Sequence, residues 1–125
     1  MRVIVNVEQI FHFLSDKGFE VFYPHTHRGD CLSPYCVLRI ETVNGFEQFS
    51  TQARYIDVLC YTPKHRYMYT MEYSKQVKEA LLELQKELMI RPTGFETPPY
   101  LDESVNGYMT SIQYALYEKG RSYNV

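Results

Sequence analysis

The sequence predicts an α+β domain: a mostly antiparallel sheet with two helices packed on one face, in the order α-β-β-β-α-β-β. Three observations carry that expectation. Two segments place apolar residues at helical spacing, and two Asn-Gly dipeptides sit where alternating segments would turn back on themselves. The third is length, since 125 residues are enough for one core and one domain, residues 1–125.

The first helix is expected near residues 5–17. Asn6 is a good N-cap, Val5 and Ile10 are spaced as a hydrophobic staple, and Val7, Ile10, Phe11 and Leu14 mark one face. Gly18 is the expected left-handed stop. Phe19 to Tyr23 reads as a short aromatic strand closed by Pro24, and residues 24–34 (PHTHRGDCLSP) as a long loop facing a partner. Tyr35 to Val43 alternates as a strand, with Cys36, Leu38 and Ile40 on one face and Arg39 and Glu41 on the other. Asn44-Gly45 suits a two-residue hairpin turn, and the return strand extends from Phe46 to Thr62.

The second helix is expected over residues 71–88, with Tyr73, Val77, Leu81, Leu84 and Leu88 as its buried stripe. Residues 89–104 hold Pro92, Pro98 and Pro99, which confine any strand there to an edge or a broken piece. Asn106-Gly107 signals a second hairpin, followed by a strand from Tyr108 to Tyr117 and a polar, flexible tail after about residue 118. One sheet face should then lie under the helices and the other, decorated with tyrosine, should be free.

Composition excludes more than it assigns. Lys plus Arg is 13 and Asp plus Glu 15, a net charge of −2, which argues against a nucleic-acid clamp or a polybasic membrane anchor. No apolar run approaches membrane-spanning length. Three cysteines are an odd number, as suits a reducing compartment better than a disulfide scaffold. The abundance of 12 Tyr and 7 Phe with no Trp favours a surface that a partner buries.

Chemistry-bearing clusters are few. His25, His27, Cys31 and Cys36 are all metal-ligand types, but H-x-H-x3-C-x4-C is not a usual zinc spacing. Cys31 with His25 or His27 would make a nucleophile and base, without a protease-like signature around it. The carboxylate pairs Asp102/Glu103 and Glu83/Glu87 come with no pocket signal, and no Gly-rich phosphate cradle is present. The expectation is a non-enzymatic chain with no catalytic residues, no cofactor and no metal. Arg28, Asp30, Arg54, Tyr55, Lys64, His65, Arg66 and Tyr114 are the candidate interface residues.

An N-terminal helix, an aromatic strand, and a loop ending in Pro34-Tyr35-Cys36-Val37 come first. A long hairpin through Arg54-Tyr55-Ile56-Asp57-Val58, one long helix and a closing hairpin through Ser111-Ile112-Gln113-Tyr114 follow. This layout resembles the small tail-terminator (tail-completion) proteins of long-tailed bacteriophages and of prophage-derived tail-like particles. The resemblance covers nearly the whole chain and is one of length, element order and patterning. It implies an α+β subunit, six copies of which close a ring on the head-proximal end of the tail tube, halting its growth and offering a docking surface for the head connector. The implied partners are other copies of the chain, tube protein and head–tail connector proteins, with no membrane and at most incidental contact with DNA passing through the ring. The implied location is the virion, after assembly in the host bacterial cytoplasm. The His- and Cys-containing loop 24–34 departs from the family's pattern. Two other readings remain open: a head–tail connector or head-completion protein, and a small metal- or thiol-dependent enzyme built on that loop.

Overall fold

The computed structural model describes residues 3–4, 7–41, 53–65 and 67–119. Nine elements follow one another: β1 (Val3–Ile4), α1 (Val7–Asp16), β2 (Val21–Phe22), β3 (Tyr35–Glu41), β4 (Ala53–Pro63), α2 (Tyr67–Leu84), β5 (Ile90–Glu96), β6 (Tyr100–Asp102) and β7 (Gly107–Lys119). All seven strands belong to one sheet, ordered β1-β7-β4-β3-β2, with β5 and β6 also pairing with β7. Every pairing is antiparallel except that of β2 with β3. The α+β class is the one expected from sequence; β1, which precedes the first helix, is an addition to the expected order.

β4 and β7 form the spine, paired without interruption from Ala53↔Tyr117 to Pro63↔Gly107. Because β4 occupies one side of β7 along that whole length, β6, β5 and β1 share the other side, one after another. Registers Leu38↔Val58↔Ile112 and Ile40↔Ile56↔Tyr114 put the expected apolar rows on a common face. Both helices cover that face. Ile10 and Leu14 of α1 and Tyr73, Val77, Leu81 and Leu84 of α2 join Leu38, Ile56, Val58, Ile112 and Tyr114 in one core.

Local chemistry sets the helix ends. Gly18 at φ 101° ends α1, where its N–H donates to the Ser15 carbonyl at 3.0 Å and that of Phe19 to the Leu14 carbonyl at 3.1 Å. These are the paired bonds that satisfy the last carbonyls of a helix. The caps expected at Val5 and Asn6 lie outside the described residues, as does the Asn44-Gly45 turn.

Three expectations need correction. The second helix covers Tyr67–Leu84, four residues earlier than expected at both ends. At its start the Thr70 hydroxyl hydrogen-bonds Thr62 on β4, so the helix begins directly off the strand. At its end Glu87 and Leu88 both donate to the Leu84 carbonyl at 3.0 Å, a tight turn that delivers fully buried Ile90 into the core. Residues 89–104 hold two short strands in place of one, and their prolines confine them to the flank of β7. The Asn106-Gly107 hairpin is not a two-residue turn: residues 103–106 make the connection, Asn106 takes φ 50°, and Gly107 already pairs with Asp102 in the ladder.

Leu81 is wholly buried at the centre of the α2 stripe. Replacing it with Ala should cost about 3 kcal/mol, read as a lower midpoint at unchanged slope in urea unfolding, because the rigid sheet beneath cannot collapse into the space.

Candidate functional site

The face of the sheet turned away from the helices is less open than the alternation implies. Tyr35 on β3 stacks on Tyr61 on β4, with ring centroids 4.8 Å apart and planes 13° from parallel. His27, from the loop of residues 24–34, stacks on the other side of Tyr35 at 4.0 Å and 16°. Phe22 meets both His27 and Tyr35 edge-on. The loop is therefore packed down on the sheet, and Tyr35 is only 2% exposed. Next to this stack, Tyr61 donates to Asp102 at 3.4 Å, and the Arg39 guanidinium donates to the buried Asp57 carboxylate at 2.9 Å. Between them lies a cavity of about 340 Å³, reached also by His25 and Ser104.

Cys31 pins the far end of the loop. Its N–H donates to the Val105 carbonyl at 2.6 Å, and its thiol donates to the Ser33 carbonyl at 3.3 Å. Asn106 donates to Asp30 at 3.2 Å beside it. Gly107 is required here for space: a Cβ would stand 2.8 Å from Cys31 Cβ and 2.9 Å from the Thr62 carbonyl oxygen. Burial pushes the Cys31 thiol up to about 11, so it is protonated at neutral pH and a poor nucleophile. The four soft ligand types of the loop region do not converge, because Cys36 belongs to the helix-side core while His27 lies on the opposite face. Among the described residues no group of three or more His, Cys, Asp or Glu is placed to hold a metal ion.

The expected interface residues separate into three locations. Arg28 and Asp30 in the loop and Lys64 and His65 before α2 are exposed near the sheet end marked by Pro63↔Gly107. Arg54 and half-buried Tyr55 lie at the other end of β4, opposite Leu116 and Ala115. Tyr114 is a correction. It is 2% exposed and packs beneath the helices, since its even register places it with Ile112 and Leu116. Arg66 lies outside the described residues.

A second feature escapes the sequence pattern. Tyr67, Met68 and Met71, in the first turns of α2, are exposed, Met68 by 73%. With Pro98 and Pro99 of the β5–β6 connection they line an open groove of about 730 Å³, edged by Lys75 and by the Lys78–Glu96 ion pair at 3.1 Å. Tyr67 is braced edge-on by Tyr108 at 5.0 Å. Residues 63–69 read as a polar-aromatic loop when helix α2 is started at Met71; extending the helical count back to Tyr67 is the signal that reveals the patch. Leu32, 86% exposed beside the buried Cys31, is a separate apolar projection. Among the described residues no helix is long and apolar enough to cross a membrane.

No protein-family model, curated protein or solved structure matches this chain. The chain's own geometry offers stacked rings, an apolar groove and a loop anchored at His27 and Cys31.

Two outcomes follow. Gly107→Ala should destabilise the fold by about 1–3 kcal/mol in urea unfolding, and Cys31→Gly in the same chain should recover part of that loss by removing one of the two clashing atoms. The second concerns pH. Burial, aided by Asp102, pushes the Tyr61 phenol up from 10.0 to about 12. Between those values the unfolded chain gives up a proton that the folded chain retains, so stability present below pH 10 is lost as pH rises toward 12. Unfolding free energies measured through that window should fall by on the order of 1–2 kcal/mol from this group, and Tyr61→Phe should flatten the slope.

Proposed function

We propose that this chain is a tail-terminator subunit, which closes a ring, most simply of six copies, on the head-proximal end of a phage-type tail tube. The ring stops tube growth and offers the surface on which the head connector docks, and its place is the virion after assembly in a bacterial cytoplasm. The observation that carries this reading is the surface itself. Large apolar side chains are exposed in a groove at Tyr67, Met68 and Met71 and at a projecting loop tip, Leu32. A ring needs two unlike patches that meet head to tail under a closing rotation, and a groove and a projection are unlike in that sense. The α+β class is compatible with the subunit that the family resemblance implies, and the protonated, buried Cys31 does not favour the thiol-enzyme alternative.

The test mixes purified protein with polymerising tube protein and measures tube lengths by electron microscopy. A terminator decorates tube ends and shortens the length distribution. Met68→Glu with Met71→Glu, or Leu32→Asp, should weaken end-binding about 30-fold, the effect of losing one anchor of about 2 kcal/mol, while circular dichroism shows the fold unchanged. Tubes of unaltered length, with the protein bound to assembled heads, would replace this reading with the connector one.

A further inference from the structure

Cys36 and Cys60 are register partners on the adjacent antiparallel strands β3 and β4. Both are fully buried and both belong to the core under the helices, so their side chains leave the sheet on the same face. The Cys36 N–H donates to the Glu20 carbonyl at 2.8 Å, toward β2 and away from β4. A strand residue directs its N–H and C=O to the same neighbour, so Cys36 and Cys60 occupy a non-hydrogen-bonded position of the β3–β4 ladder. Opposed residues there bring their Cα atoms to about 4.5 Å. Disulfides span Cα separations of about 4.4–6.8 Å, so this position meets the requirement with little backbone movement. The Tyr73 hydroxyl, 3.5 Å from the Cys36 sulfur, is the polar group of α2 facing the pair. The third cysteine is elsewhere, with its sulfur on the Ser33 carbonyl and its Cβ against Gly107.

We propose that Cys36 and Cys60 close a cross-strand disulfide when the folded chain meets a thiol oxidant, and that the fold accepts the bond as a staple across the sheet. Two S–H bonds break and one S–S bond forms. Two electrons and two protons pass to a small-molecule disulfide, which is reduced to two thiols. The Cys60 thiol donates a hydrogen bond to the Cys36 sulfur; this bond and then burial push Cys60 well above its usual range, while the same bond lowers Cys36 and makes it the attacking sulfur. Both residues are fully buried, so attack on the oxidant is slow and proceeds through brief opening of the sheet edge. The chain is thus reduced in a reducing compartment and stapled only after prolonged exposure outside one. This inference rests on strand register and stands or falls apart from the ring reading.

The test incubates the purified, reduced chain with excess oxidised glutathione, in buffer and in sub-denaturing urea. After denaturation, alkylatable thiols are counted by intact mass. The expected count falls from three to one, with peptide mapping joining Cys36 to Cys60. Cys31→Ser should retain the link, and the linked chain should melt roughly 10 °C higher than the reduced one because the unfolded chain is constrained. Three free thiols in both conditions, a link through Cys31, or a linked chain that melts lower would each overturn the proposal.

Discussion

The β4–β7 ladder is the constraint on which the rest of this structure depends. It runs eleven residues on β4, from Ala53 to Pro63, without a bulge. Strands with a period of two cannot slip by one residue without turning a whole apolar row to solvent. With Ile56, Val58 and Cys60 committed to the helix side, Ile112, Tyr114 and Leu116 must follow, and β3 is held in step through Leu38↔Val58. The helices then have a single place to bury their stripes. Lys17 of the α1 exit meets Glu83 of α2 at 2.6 Å across their exposed sides, a solvent-exposed link that adds little to the packing beneath it.

The ladder also determines where the loop of residues 24–34 can sit. Where β4 and β7 end together at Pro63↔Gly107, the glycine leaves a space the size of a side chain, and Cys31 occupies it. The loop is held at that point and again where His27 stacks on Tyr35. Between those anchors the chain is hydrophilic and short of regular structure, yet it has little freedom to move as a flap. Leu32 follows the Cys31 anchor directly, so its backbone is placed in advance, a form of pre-organisation that reduces the ordering cost of any contact it makes.

Much of the fold was legible because it is written in periodicity. The α1 stripe, its Gly18 stop, the alternation of β3, β4 and β7, and the broken character of residues 89–104 all follow from spacing and from backbone-restricted residues. The site was less legible. Tyr114 resembles a surface tyrosine by type, but its parity with Ile112 sends it into the core. The groove at Tyr67, Met68 and Met71 was hidden because α2 begins six residues before Tyr73, the first apolar residue of its buried stripe, in a turn where Thr70 meets Thr62 on β4. The stacking of His27 on Tyr35 joins residues from a loop and a strand, and no local pattern encodes it. Parity along each strand was readable; strand register and side-chain meetings between distant segments were not.

The flank of β7 has a bearing on strand pairing between molecules. β6, β5 and β1 divide it into three short lengths, and the β5 register shifts between Pro92 and Glu96 around Gly94 at φ 92°. Arg91 through Glu96 are all exposed, and Pro92 has no N–H to offer a neighbour. A straight, uniform row of unpaired donors and acceptors is what recruits foreign strands and seeds fibrils. Here that row is interrupted by proline, kinked by glycine and bordered by charge. A foreign strand meeting this flank therefore finds no continuous ladder to copy.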